Sequence, residues 1–331
     1  MTDDTTDERI RTVRRKGPPA FVRLGLNVAD FRPEGHANAF ERLSELVRSA
    51  EAAGFDSFFS GDHLMSDKAS PGGNWLELYS TLAALAARTT SIQLGGLVGA
   101  VLFRNPALLA KTVTTLDVIS GGRAVFGIGS GSHEPEHIAY GYRFPTAADR
   151  LDILEETVRL VKAMFEQSST TFHGTWVRAD GAINLPPPVR AGGPPVLIGG
   201  KGRRRTLRLV ARFADIANFT GDDEQVPELN EVLDGYCAEL GRDPSTLSRT
   251  LFKPIILAKS RRAAEAQMTL WQRQHQDQLG FIIGSAEEVA GRVGNLLDAG
   301  IDGVIVQLPA ARNTCEDIAG IGALLAPMFA R

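Results

Sequence analysis

Cysteine is scarce: Cys237 and Cys315 are the only two in 331 residues, and they lie far apart. That excludes a disulfide framework and a cysteine metal site, and it fits a reducing, cytoplasmic compartment. No apolar run approaches the roughly 20 residues a membrane helix requires. Charge of one sign is lacking too. The formal net charge is −3 and no long basic stripe follows the first twenty residues, so a nucleic-acid or membrane-surface partner is not expected and the ligand should be small. No G-x-S-x-G nucleophile elbow precedes a helix in the right setting, which argues against acyl transfer.

What is present is ordinary: 43% hydrophobic and 23% charged residues, enough chain for one large α/β domain or two smaller ones. Residues 1–20, polar and charged up to a Gly-Pro-Pro break, read as a disordered tail without the apolar stretch of a secretion signal. Beyond it, short Val/Ile/Leu/Phe runs alternate with amphipathic helical patterns, the rhythm of βαβ units. Strands are predicted at 22–27, 55–60, 92–98, 124–128, 196–199, 215–219, 252–258 and 303–308, with a leftover piece at 281–284. The main insertion, about 168–195, carries two short strand candidates near 171–177 and 182–185. Eight strand candidates favour a (β/α)8 barrel over residues 21–331 rather than an open, doubly wound sheet, whose G-x-G-x-x-G fingerprint does not match the spacing of Gly127-Ile-Gly-Ser-Gly131.

In such a barrel, functional groups gather on the loops after strand C-termini. Strand one then delivers Asn27 and Asp30, and strand two delivers Gly61-Asp62-His63. His63 can move a proton near neutral pH and Asp62 can hydrogen-bond a ring; equally, the pair can be a capped turn. Strand three is too rich in glycine, from Gly95 to Gly99, for a strand that only fills a core: either a ligand face or a close helix contact is indicated. Gly127, Gly129 and Gly131 carry no Cβ, which leaves room for a flat cofactor to approach. Strand five runs into Gly199-Gly-Lys201-Gly-Arg203-Arg-Arg205 just before a helix, a setting that suits a phosphate, although a solvated basic helix start has the same composition. The spacing is not that of a Walker loop. His133, Glu134, Glu136 and His137 suggest a metal only superficially, because Pro135 interrupts them and a third ligand is not evident. Glu77 stands at the start of a helix over the mouth, facing either inward or outward, and Asn218 ends strand six.

Several longer words occur in one order over residues 21–310: FDSFFSGDH, LAALAARTTSIQLG, FRNPALLAKTVTTLDVISGGR, GIGSG, EPEHIAYGYRFP, PPVLIGGKG, and GSAEEVAGRV with LLDAGIDGVIV. Together they resemble the bacterial-luciferase-like monooxygenases, and RNPALLAK and LDVISGGR are most similar to the branch that uses the deazaflavin coenzyme F420. The resemblance implies a barrel, often a homodimer, with a deazaflavin or flavin ring in the mouth. It puts His63 and Asp62 at the ring or substrate as catalytic residues, His63 being the proton carrier. It makes Gly96, Leu97 and Val98 a bulge behind the ring, where relatives often have a non-proline cis peptide. Gly129, Ser130 and Gly131 would line the ring edge, and Gly199, Gly200, Lys201, Gly202 and Arg203 would hold the phosphate. Asn27, Glu77, His133 and Asn218 are left as substrate-pocket candidates, and no metal is implied.

The expected activity is hydride transfer between F420 and a small organic substrate. The alternatives are an FMN-dependent monooxygenase supplied by a separate reductase, and a flavin-binding relative without catalysis. A sugar-phosphate barrel enzyme would leave the glycine-rich third strand unexplained. Three departures weaken any transfer of substrate from relatives: no glutamine precedes the proline-rich approach to strand five, Gly99-Ala-Val101 replaces a more polar stretch, and Ser132-His133 stands where a bulky residue is common.

Overall fold

The computed structural model describes residues 21–29, 31, 37–65, 74–269, 272–273, 280–309 and 313–329. The expected tail at 1–20 and Asp30 lie outside them. Strands alternate with helices as the hydrophobic rhythm requires: β1 (Leu24–Val28), α1 (Ala39–Ala52), β2 (Ser57–Ser60), α2 (Leu78–Ala86), β3 (Gln93–Gly96), β4 (Gly99–Ala100), α3 (Pro106–Ser120) and β5 (Ala124–Gly129). The second half continues with α4 (Glu134–Ala139), α5 (Ala147–Glu166), β6 (Thr170–His173), β7 (Arg178–Ala182), β8 (Val196–Gly199), α6 (Thr206–Phe213), β9 (Ile216–Phe219) and α7 (Val226–Glu239). It ends in β10 (Ser248–Leu257), α8 (Arg261–Glu265), β11 (Ile282–Gly284), α9 (Ala286–Asp298), β12 (Gly303–Gln307) and α10 (Cys315–Phe329).

Eight parallel strands, β1-β2-β3-β5-β8-β9-β10-β12, pair in that order, and β12 returns to β1, so the sheet closes into a barrel. Closure removes the sheet edges. The barrel interior is filled by Val22, Phe59, Val125, Leu197, Ile216 and Ile305, while a larger apolar layer lies between the strands and the helices. Helix starts follow local chemistry: Asn105 caps α3 ahead of Pro106, and Ser285 with Glu288 forms a capping box on α9. No helix among the described residues is long and apolar enough to cross a membrane.

Three expectations need correction. The third strand stops at Gly96 and resumes as β4, because a bulge interrupts it. The seventh begins at Ser248, four residues before the expected start; Arg249 and Thr250 look like loop residues but are fully buried. The leftover piece is β11, which pairs in parallel with the outer half of β10. The insertion does hold two strands, an antiparallel hairpin of β6 and β7, the second starting at Arg178 rather than 182. Its tip is held by Glu156 of α5, whose carboxylate accepts the N–H groups of Thr175, Trp176 and Val177.

Candidate active site at the C-terminal face of the barrel

All eight barrel strands run parallel, so the residues after β2, β3, β5 and β8 share one face. The bulge between β3 and β4 follows the C-terminal end of β3, on that face. The Leu97–Val98 peptide is cis, which assigns the bond expected within 96–98. The Leu97 N–H donates to Ser60 O at 2.7 Å, tying the bulge to β2. The Val98 side chain then lies against β5 and β8: a Cβ on Gly129 would sit 2.5 Å from its Cγ2, and one on Gly199 2.9 Å from its Cγ1. A Cβ on Gly127 would overlap the Gly96 carbonyl. The glycines of β5 therefore make room for the protein's own bulge, which corrects the reading that Gly127 and Gly129 are bare for a cofactor's approach. Gly131 takes φ +72°, and a Cβ there would sit 3.3 Å from His137 Nε2.

Asp62, expected at a ring, is in the wall. Its side chain is 1% exposed, and Arg104 grips both carboxylate oxygens at 2.5 and 3.0 Å while the Ala100 N–H donates at 2.9 Å. Arg104 also lies 4.7 Å over the Tyr79 ring and pairs with Glu77. Glu77 belongs to this same wall rather than to a pocket, since its carboxylate caps α2 by accepting the Ser80 N–H at 2.7 Å. Burial pulls the Arg104 pKa down, but the hydrogen bonds and charge of Asp62, with Glu77, outweigh it and raise the pKa above its ordinary value. Burial, with Asp62 next, raises the Tyr79 phenol.

His63 is nearly half exposed at the mouth, its ring 4.9 Å from that of Trp75. Its Nδ1 lies 3.0 Å from Oε1 of Glu136, whose Oε2 accepts the Leu64 N–H at 3.0 Å. Burial pushes the Glu136 carboxyl up, but the His63 and Leu64 hydrogen bonds outweigh it and its pKa falls below the ordinary value. His133 stands beside His63, ring centroids 6.1 Å apart. His137 is fully buried among Phe103, Tyr142 and Phe144, with Nδ1 2.8 Å from His133 O.

Asn27 and Asn218 lie two residues beyond inward-facing Gly25 and Ile216, on the same strand faces. Both are buried: Asn27 donates to Phe59 O at 3.2 Å and Asn218 to Thr250 Oγ1 at 2.9 Å. Beyond Gly199, Gly200 takes φ +128° and donates to Asn218 O. The N–H groups of residues 201–205 make no backbone hydrogen bond among the described residues, and α6 starts without a side-chain cap. Lys201 reaches Gln225 Oε1 at 3.4 Å. Arg203, expected at a phosphate, instead makes a bidentate pair with Glu228 of α7, 2.6 Å in both contacts, on the exposed side.

Arg104 and the His63–Glu136 pair were not legible as site features in the sequence. Their partners are 42 and 73 residues away. The one local signal was the position of Arg104, immediately before the Asn105 cap of α3 at a loop that follows the third strand.

Comparison with known proteins agrees with this architecture. The solved F420-dependent tetrahydromethanopterin reductase of Methanopyrus kandleri superposes with a TM-score of 0.77 at 18% identity, covering 93% of this chain and 99% of that one. The monooxygenase RslO1 of Streptomyces bottropensis gives 0.76 at 20%, covering 93% and 100%. At such identities the likeness is one of fold. In sequence, the F420-dependent glucose-6-phosphate dehydrogenase of Nakamurella multipartita is 34% identical over 174 residues, 52% of this chain. The chain spans about half the length of such curated relatives, 50% in that case and 53% for the corresponding enzyme of Microbacterium testaceum. The family model for luciferase-like monooxygenases matches residues 25–301, which takes in every barrel strand but the last and the whole candidate site. With the closed barrel and this match together, the chain belongs to the luciferase-like monooxygenase family.

Proposed function

We propose that the chain is an oxidoreductase that moves a hydride between coenzyme F420 and a small organic substrate, with His63 carrying the accompanying proton. What supports this is a parallel barrel that brings the loops after β2 and β8 to one end, with the His63 imidazole in the first and an uncapped helix start in the second, and with Val98 packed against Gly199 of β8. The donor set fits the coenzyme: its tail is anionic, and the loop offers N–H groups without a backbone acceptor among the described residues, at a helix N-terminus together with Lys201. The relatives named for F420 support that choice of cofactor.

When bound, F420 supplies a two-electron hydride carrier, which the protein itself lacks. The work of the chain is to hold and shield. Backbone N–H groups of residues 201–205 and the Lys201 ammonium take the tail, and the Leu97–Val98 bulge backs the ring. His63 accepts the substrate's proton when hydride leaves for the coenzyme and returns it in the reverse direction. Arg203 is assigned no contact with the coenzyme. A single domain from residue 21 onward, a homodimer and a cytoplasmic location belong to the same proposal, resting on the resemblance and on the scarcity of cysteine.

Fluorescence titration with F420 and with FMN tests the reading. Tighter binding of F420, and a His63→Ala variant that loses turnover while keeping affinity, are expected. Preferential FMN binding with oxygen uptake would instead make the chain a flavin monooxygenase, and cofactor binding without turnover over a broad substrate panel would favour a non-catalytic relative.

A further inference from the structure

One buried carboxylate has no role in the chemistry described above. Glu136 lies in the first turn of α4, its side chain 3% exposed, and it is wholly committed to the loop after β2. Its two oxygens take two neighbouring residues: Oε1 meets His63 Nδ1 and Oε2 meets the Leu64 N–H, each at 3.0 Å. Gripping a side chain and the next backbone amide at once leaves the imidazole little freedom to rotate. The Tyr140 hydroxyl, from the end of the same helix, donates to Leu64 O at 2.9 Å and braces the segment further.

The chemistry of the pair has a direction. An ionised carboxylate only accepts hydrogen bonds, and the hydrogen bonds from His63 and Leu64 keep Glu136 ionised against its burial. Nδ1 of His63 must therefore donate. In a neutral imidazole one nitrogen carries the proton and the other the lone pair, so the position of Glu136 decides which is which.

We infer that Glu136 is a positioning residue that fixes His63 as the Nδ1–H tautomer, making Nε2 the nitrogen at which the substrate's proton is exchanged. The second clause rests on the assignment of His63 as proton carrier; the first does not. A glutamine at 136 would present an amide N–H2 to one of two donors it must satisfy, and facing Nδ1 it would favour the opposite tautomer. The same logic governs an Asp→Asn change behind a catalytic histidine.

The test uses the full chain without cofactor, labelled with 15N-histidine. There are six histidines, so His63 is assigned from its loss in His63→Asn. At an alkaline pH where the ring is neutral, the wild type should show a protonated Nδ1 and an unprotonated Nε2, and Glu136→Gln should shift the population toward Nε2–H. A wild-type ring already in the Nε2–H form would overturn the inference, whether or not the variant folds. So would an unchanged tautomer in a folded Glu136→Gln. If F420 turnover is established, Glu136→Gln should lower kcat roughly 10²-fold, the low end of what a positioned acid–base group contributes. KM and coenzyme affinity should stay within about twofold, with Glu136→Asp recovering part of the loss. An intact kcat in Glu136→Gln would overturn the role in exchange even with the tautomer shifted. Failure of F420 to bind at all would leave the tautomer measurement, and hence the positioning role, standing by itself.

Discussion

Arg104→Ala is the substitution with the widest expected consequences, because its guanidinium ties the loop after β2 to the start of α2, and its partner Asp62 in turn holds the Ala100 N–H of β4. In the native wall, Asp62 is 1% and Arg104 14% exposed. Without the guanidinium, Oδ1 of Asp62 loses its partner and Oδ2 keeps only the Ala100 N–H. Leaving one member of a buried pair uncompensated costs about 3–5 kcal/mol. The partial exposure of Arg104 places this case near the lower end, about 3 kcal/mol. At roughly 2.1 cal/mol/K per residue, the unfolding entropy of a chain this long is about 0.7 kcal/mol/K, so Tm should fall by about 4 °C in scanning calorimetry. Adding Asp62→Asn should restore part of that loss, because the orphaned charge is then gone. This sign separates a charge effect from lost packing on Tyr79. An Asp62 carboxylate no longer held by Arg104 anchors the Ala100 N–H less firmly, so the bulge before it should loosen and coenzyme affinity should weaken in Arg104→Ala. A Tm within about 1 °C of wild type, or a double variant less stable than Arg104→Ala alone, would refute the reasoning.

Three other outcomes are expected. Gly127→Ala should disrupt the barrel, since the new methyl would overlap a backbone carbonyl that no side-chain rotation can move; circular dichroism and cofactor titration should both register a loss beyond the roughly 1–3 kcal/mol of ordinary overpacking. Lys201→Ala should weaken F420 binding in a fluorescence titration, whereas Arg203→Ala should leave it nearly unchanged, because that guanidinium is turned toward Glu228; equal losses would contradict the geometry. Glu51 accounts for part of the acid sensitivity. Burial pushes its carboxyl up, but the N–H groups of Ser91, Ile92 and Thr90 pull it down to about 2 from 4.5. A depressed folded-state pKa stabilises above the unfolded value, and the contribution disappears as pH falls from 4.5 toward 2. Urea midpoints of Glu51→Gln should accordingly vary less with pH over that window than those of wild type.

The fold was readable wherever the signal is local. Strand five is legible residue for residue at 196–199, because an apolar run there sits between a proline-rich approach and a glycine loop. The start of strand seven is hidden in the sequence because Ser248, Arg249 and Thr250 look polar; only neighbours such as Asp234, Asn218 and Ala217 turn this stretch into buried strand. The glycines of β3 and β5 mark a close approach in the sequence, yet what approaches is the chain itself. The site divides in the same way: the positions of His63 and the 199–202 loop after strands are local features, while the ion pairs that hold Asp62, Glu77 and Arg203 against other parts of the chain are not.

The order of apolar runs, caps and glycines along the chain was enough to specify eight βα units and to indicate which loops share one end, since those preferences act within a few residues. Closure of the sheet decided the rest. It brings Arg104 to Asp62, Glu136 to His63 and Val98 to Gly199 across tens of residues. A charged or bulky side chain takes its function from what stands within about 3 Å of it, and only the closed barrel determines that neighbour.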